Sequence, residues 1–450
     1  MSTIYQATTS APVNIACIKY WGKRDTTLIL PTNSSLSVTL SQNDLSSTTS
    51  SSTSPSFPTT LLWLNNLPPE QIDLPSLSSS TSPSAVADTR LARCLLQLKK
   101  LRKELVEDKD PSAPKMSEWN LHIASYNNFP TAAGLASSAS GFAALTASVA
   151  ALYGLNTFSS EQEQEQEQGQ GNDPLVSASQ LSLIARLGSG SACRSLFGGF
   201  VSWSAGSLPS GTDSLATQIA PASHWPTLHA LICIVNAQKK ATSSTSGMQR
   251  TVQTSALLQH RITDVVPRRM EGIIDAIKDR DFDAFGRITM DDSNQFHAVA
   301  LDTSPPIFYM NDVSRSIVLL IEELNRVSLL TSGHLVAAYT FDAGPNAVIY
   351  AEEKHIPTIV NLILRYFPLE QGTFQDKSNV LGGKDASVVG GRVPEGFDEG
   401  VVSGGGDEGR FGVGTLKGLI HTRIGDGPRM LGKEKSLLGE DGMPKSKVVG

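Results

Sequence analysis

The sequence predicts a mixed α+β fold. Runs with strand-like alternation are scattered along the whole chain, amphipathic stretches of helical period separate them, and one long helical region spans about 249 to 331. The 450 residues suffice for two or three domains and a large core.

Taken in order, "APVNIACIKYWGKRD" (11–25) alternates like a strand and ends in cations. "TLLWLNN" (60–66) and "WNLHIAS" (119–125) read as further strands. Between them, 87–108 is an amphipathic helix, with Leu91, Leu95, Leu98, Leu101 and Leu105 at helical spacing. The Gly-Ala-Ser run after Pro130 starts another helix, with Phe142, Leu145, Val149 and Leu152 on one face. Strands follow at 197–203 and 229–237, then the helical region, then a strand–turn–strand over 335–344 and 346–352 and a helix over 356–367. Four stretches read as inserts: the Ser-rich 46–57 and 76–84, "EQEQEQEQGQGN" (161–172) and the Gly-rich 382–409. Their compositions lack the apolar residues that build a core, so surface loops or disorder are expected there.

Composition excludes several classes. Hydrophobic residues make up 40% and charged residues 18%, as in an ordinary globular protein. A net charge of −6 argues against general nucleic-acid binding, although cations can still gather around an anionic ligand. Cys17, Cys94, Cys193 and Cys233 are dispersed with no CxxC, so reduced thiols in a cytosolic protein are expected. The histidines form no HExxH. Neither a secretory signal nor a bilayer-spanning apolar run is visible.

The chemistry gathers in five motifs. "NNFPTAAGLASSASG" (127–141) places Gly134 and the hydroxyls of Ser137, Ser138 and Ser140 at a helix mouth, where unpaired N–H groups and the helix dipole favour phosphate. No GKS or GKT follows, so it is not a Walker A loop, and tight helix-on-sheet packing would also use small residues. Asn14 and Lys19 lie on one short strand, with Tyr20 and Trp21 beside Lys19 and with Lys23 and Arg24 close behind. A solvated basic face would look alike, but a cation among aromatics near a turn suits an anion. "LGSGSACRSLFGG" (187–199) makes a hydroxyl-bearing turn from Gly188, Ser189, Gly190 and Ser191 ahead of Arg194, whose planar fork suits carboxylate or phosphate. "SSTSGMQ" (243–249) is another Ser/Thr cluster before a helix. In "YTFDAGPNA" (339–347), Asp342 ends an apolar strand, where it either stabilises a turn or acts as an orienting carboxylate or base. Together the motifs point to a nucleotide and a phosphorylated substrate.

These segments, with "LPTNSSLSVTLSQ", "MDDSNQFHA", "LDTSPPIFYMND" and "LKGLIHTRIGDGP", closely resemble the diphosphomevalonate decarboxylase family of the GHMP kinase superfamily, over about 4–366 and again over 416–428. The resemblance implies a two-domain GHMP kinase fold, divided here as 1–222 and 223–450, with the active site in the interdomain cleft. It implies ATP and Mg²⁺, a homodimer in the cytosol, and conversion of (R)-5-diphosphomevalonate to isopentenyl diphosphate for isoprenoid and sterol synthesis. No nucleic-acid or membrane partner is implied.

By the same resemblance, Asp342 orients or deprotonates the substrate 3-hydroxyl and Lys19 keeps Asp342 ionised. Asn14 and Arg194 hold the substrate carboxylate. Tyr20, Trp21, Lys23, Ser189, Gly190 and Ser191 complete the substrate site, and Ser246 closes over the diphosphate. The ATP phosphates fall to Gly134, Leu135, Ala136, Ser137, Ser138, Ala139 and Ser140, with Ser137 and Ser138 nearest. Ser140 departs from the family's usual Ala and adds a hydroxyl to the expected phosphate loop. No protein ligand of Mg²⁺ is assigned, the ion arriving with ATP. Two rivals stay open: a related GHMP enzyme acting on a mono-phosphorylated mevalonate or stopping at phosphorylation, and a non-catalytic GHMP-fold protein, which should have lost Asp342 or Lys19.

Overall fold

The structure is a computed structural model that describes residues 3–75, 89–129, 137–156, 158, 174–235, 242–377, 393–402 and 411–445. Three main sheets carry the architecture, and the expected α+β character is present in full. The first has six strands in the order Arg429–Met430, Tyr5–Pro12, Ser46–Ser54, Asn120–Asn127, Thr60–Leu64 and Glu70–Ile72. Only Thr60–Leu64 and Asn120–Asn127 pair in parallel. The apolar faces of Arg90–Arg102, Ser137–Leu152 and Ala178–Gly188 join this sheet in one core, where Leu95, Leu98, Ala144, Leu181, Leu121 and Ile123 meet.

The Ser-rich run 46–57 is where the structure overturns expectation. Ser46–Ser54 is not a surface loop but a buried inner strand, paired antiparallel on both edges, to Tyr5–Pro12 and to Asn120–Asn127. Its hydroxyls find partners instead of water. Ser47 Oγ meets Ser140 Oγ at 2.7 Å and Ser51 Oγ meets Ser148 Oγ at 2.7 Å, both on helix Ser137–Leu152. Thr49 pairs with Ser125 and Ser50 with Thr8. A buried hydroxyl is tolerated when it is hydrogen-bonded, and small side chains let the helix lie close to the sheet. The stretches 76–84 and 161–172, and most of 382–409, lie outside the described residues.

The second sheet runs Ala216–Ala220, Phe200–Trp203, Ser35–Thr39, Asn14–Ile18, and the third runs Ala338–Phe341, Ala347–Glu352, Leu228–Ile234, Gly418–Arg423, Phe374–Gln375. Val13, Ile15, Val38, Leu231, Ile349, Ile273 and Ile321 belong to one shared core that joins these sheets to helices Val266–Asp279, Phe282–Asp302, Asp312–Ser332 and Ile356–Tyr366. Helices dominate the 249–331 region as expected, broken by a π-helical turn at Arg261–Val265 and by the non-helical stretch 303–311. After Arg423 the chain returns to the first sheet. Met430 pairs with Thr9, and Leu437 and Leu438 pack on Ala124. Among the described residues no helix is long and apolar enough to cross a membrane, and the four cysteines are free and buried.

Candidate active site

Two residues from different sheets meet. Lys19 follows the last residue of strand Asn14–Ile18, and Asp342 follows strand Ala338–Phe341. Their side chains form an ion pair, Nζ to Oδ1 at 2.7 Å, with Lys19 buried at 3% exposure and Asp342 partly exposed at 34%. Lys19 Nζ also donates to the Ala16 carbonyl at 2.7 Å, which fixes its rotamer. A carboxylate held ionised by a buried lysine and still partly exposed is placed to meet a substrate hydroxyl. His297 is buried beside the pair. Burial, reinforced by the Lys19 charge, lowers its pKa to about 4, so it is neutral at pH 7.

The second cluster surrounds Arg194. The 3₁₀ turn Gly190–Leu196 carries it inward, where its Nε donates to Asn14 Oδ1 (3.2 Å) and Ser37 Oγ (3.0 Å) and its Nη1 to Ser35 Oγ (2.6 Å). Asn14 is itself oriented, donating to the Ser191 carbonyl and to Ser195 Oγ at 2.7 Å. Burial lowers the guanidinium pKa, so an anion brought to Arg194 would meet a charge poorly screened by water. Tyr20 packs edge-on against Trp203 at 4.7 Å, and its Oη is buried without a partner among the described residues. Gly190 makes room for this ring, since a Cβ there would lie 2.8 Å from Tyr20 Cε1. Trp21 is different. Its indole N–H donates to Thr251 Oγ1 and its ring packs on Phe296 and Tyr309, so it is a buried strut rather than a cleft-facing contact.

A cationic rim follows. Burial, with Arg90 nearby, lowers the Lys23 pKa to about 8. Arg90 reaches across to Thr245 Oγ1 at 3.1 Å, at the start of helix Ser244–Thr254, where Ser246 is exposed and donates its N–H to the cap Ser243. Gly247 lets this helix close on the aromatic strut, because a Cβ would come within 2.5 Å of Tyr309 Oη. At the mouth of helix Ser137–Leu152, Ser138 Oγ meets Ser189 Oγ at 3.2 Å, so the expected nucleotide and substrate turns touch. Beside that mouth a cavity of about 370 Å³ is lined by Leu62, Asn65, Ile72, Leu91, Asn127, Phe142 and Leu145.

Gly134, Leu135 and Ala136 lie outside the described residues. Ala139 and Ser140 are fully buried, and the Ser140 hydroxyl points to Ser47 in the sheet. The hydroxyl expected in a phosphate loop therefore belongs to helix–sheet packing, because residue 140 falls on the helix face packed on strand Ser46–Ser54. Sequence reading missed Ser35, Ser37, Arg90 and the buried Asp292 and Arg261. Ser35 and Ser37 sit in the quoted "LPTNSSLSV", whose alternation puts both hydroxyls on one strand face and offered the available signal. Among the described residues no three His, Cys, Asp or Glu side chains are grouped to hold a metal ion.

Comparison with known proteins agrees along the whole length. Residues 11–216 match the diphosphomevalonate decarboxylase-like N-terminal domain and residues 230–431 the mevalonate 5-diphosphate decarboxylase C-terminal domain. The chain is 60% identical to a diphosphomevalonate decarboxylase of Ganoderma lucidum over 98% of this chain and 100% of that one, and 44% identical to that of Schizosaccharomyces pombe over 98% of each. Among solved structures, mevalonate diphosphate decarboxylase from Trypanosoma brucei superposes with a TM-score of 0.76 at 32% identity, covering 96% of this chain and 100% of that one. A complex of MDDEF with MVAPP, AMPPCP and magnesium superposes with a TM-score of 0.64 at 26% identity, covering 95% and 99%. With its lysine–aspartate pair, its buried arginine cradle and its length matched end to end, the chain belongs to the diphosphomevalonate decarboxylase family.

Proposed function

We propose that the Lys19–Asp342 pair carries the family reaction here: ATP-dependent decarboxylation of (R)-5-diphosphomevalonate to isopentenyl diphosphate, ADP, phosphate and CO₂. The observation that carries the assignment is the 2.7 Å pair, a buried lysine on a partly exposed carboxylate. A carboxylate beta to a tertiary alcohol holds its CO₂ because hydroxide leaves poorly. Asp342 accepts the 3-hydroxyl proton as that oxygen attacks the γ-phosphorus of ATP and ADP departs. The C3–O bond to phosphate then breaks, the C1–C2 electron pair moves in to form the new double bond, and CO₂ leaves. Lys19 keeps Asp342 ionised and stabilises the transferring charge. The leaving phosphate takes the electrons, so no organic electron sink is needed.

Arg194, aimed by Asn14, Ser35 and Ser37, holds the substrate carboxylate. Tyr20, Ser189 and Ser191 flank it, and Lys23 and Ser246, with Arg90, meet the diphosphate. Ser137 and Ser138 face the ATP phosphates at the helix mouth, and the neighbouring cavity takes the nucleoside. The MDDEF complex with MVAPP, AMPPCP and magnesium supports a site that takes substrate and nucleotide together. Mg²⁺ would be carried on the ATP phosphates, where it would neutralise part of their charge. The family resemblance supports a cytosolic homodimer, which sedimentation of the purified protein would test, and a division near residue 222. The mono-phosphate alternative is not favoured, since the relatives are diphosphomevalonate decarboxylases and MVAPP is bound in the MDDEF complex, nor is the non-catalytic one, since Lys19 and Asp342 are both present and paired.

The test is Asp342→Asn. It leaves the turn nearly isosteric but removes the proton acceptor, so turnover should fall by roughly 10²–10⁴-fold. ADP formation and CO₂ release should fall together. Normal phosphorylation with failed CO₂ release would move Asp342 to a later step, and near wild-type turnover would reduce it to a turn residue.

A further inference from the structure

We propose that Asp292 and Ser293 are positioning residues that together set the separation of Lys19 and Asp342; this rests on reading that pair as the reacting one. Helix Phe282–Asp302 presents these two consecutive side chains to the two strand ends that carry the pair. Asp292 Oδ2 accepts the Lys19 N–H at 2.7 Å. Ser293 Oγ accepts the Phe341 N–H at 3.0 Å, one residue before Asp342. Lys19 and Asp342 belong to different sheets, so pairing within either sheet cannot fix the distance between them. One rigid turn of helix, bonded to both main chains, can.

The Asp292 anchor is itself held firmly. Arg261 grips its carboxylate with Nη1 to Oδ1 at 2.7 Å and Nη2 to Oδ2 at 2.8 Å, and Arg269 adds a contact to Oδ1 at 3.1 Å. Arg261 Nη2 also donates to the Lys19 carbonyl at 3.1 Å, so the ion pair holds both polar groups of the Lys19 main chain. Asn33 Nδ2 donates to the same carbonyl at 2.9 Å. The Arg261 and Asp292 side chains are wholly buried. A buried ion pair gives little net stability over an apolar replacement, so its placement around one lysine's main chain is explained better by geometry than by stability. Arg261 opens the π-helical turn Arg261–Val265, a widening that is frequent at functional sites.

Steady-state kinetics of the full chain with diphosphomevalonate and ATP test the proposal, alongside thermal melts that report the folded fraction. Ser293→Ala and Asp292→Asn should each lower kcat by roughly 10- to 100-fold, the scale of small misplacements at a reacting centre, while both KM values stay within about twofold, as expected when only transition-state interactions are lost. Ser293→Thr, which keeps the hydroxyl, should recover most of kcat. A Ser293→Ala enzyme with wild-type kcat per folded molecule overturns the proposal even if its melting temperature falls, and this variant decides alone if Asp292→Asn does not fold. Asp342→Asn, measured in parallel, separates the two levels. If it is inactive while Ser293→Ala is normal, the spacer role fails and the pair stands; if it turns over normally, the pair reading fails and the spacer with it.

Discussion

Replacing Arg194 by Lys keeps the charge and removes the geometry. In the native site one guanidinium reaches three side chains on two strands: Asn14 and Ser37 through Nε, and Ser35 through Nη1. A lysine ammonium is a single nitrogen on a flexible stem and cannot stand at both positions. At least one charge-assisted hydrogen bond is lost, worth roughly 1.5–3 kcal/mol. If that loss falls on the bound substrate, kcat/KM for diphosphomevalonate should drop by roughly 10- to 150-fold. The effect should be concentrated on this substrate rather than on ATP, because the cradle is built from two strands, with Asn14 held against Ser191, and not from the mouth of helix Ser137–Leu152. Coupled ADP-release kinetics, with a thermal melt to correct for folded protein, give the number. A kcat/KM within twofold of wild type would refute a substrate role for Arg194 and leave it as a buried brace between the turn Gly190–Leu196 and its sheet.

Other outcomes follow from the same geometry. The Lys23 pKa is lowered to about 8, so its ammonium is present at pH 7 and lost as pH rises past that value; KM for diphosphomevalonate should climb above pH 8, and Lys23→Arg should flatten the climb. Ser140→Ala should cost no more than about 1 kcal/mol, because Ser47 keeps its bond to Asn127 Oδ1, and should leave KM for ATP within twofold; a large change would return Ser140 to the phosphate site. His297 is held neutral with a pKa near 4, below its ordinary value of 6.5. The unfolded chain therefore binds more protons between those values, stability falls as pH drops through that window, and His297→Gln should show a flatter melting-temperature profile there. Removing residues 432–450 exposes the sites of Leu437 and Leu438, now 6% and 1% exposed, and should cost up to about 3–6 kcal/mol; an unchanged denaturation midpoint would show that this packing contributes nothing.

The strands and helices legible in the sequence are those whose apolar residues keep a period. Leu91, Leu95 and Leu98 mark their helix, and "LVAAYTF" marks its strand. Ser46–Ser54 failed because its burial rests on hydroxyl pairs, and a hydroxyl carries no sign in the sequence of whether it faces water or another hydroxyl. Ser140 failed for the same reason, its partner lying on a strand almost a hundred residues away. Lys19, Asp342, Arg194 and Asn14 were legible because they sit within motifs of a recognisable family. The side chains that aim them were not, since Asp292 and Arg261 meet Lys19 only after the helical half has packed on the sheets.

The strand Arg429–Met430 also bears on how the protein is made. It covers the outer edge of Tyr5–Pro12, with the Leu431 N–H donating to the Thr8 carbonyl at 2.9 Å. A ribosome delivers these partners more than four hundred residues apart, a delay of roughly 20–80 s at ordinary elongation rates. Until then the nascent first sheet presents an open edge, the kind that recruits stray strands. The edge of this sheet is thus closed only by a segment made more than four hundred residues later, and its first strand stays open to other partners for that interval.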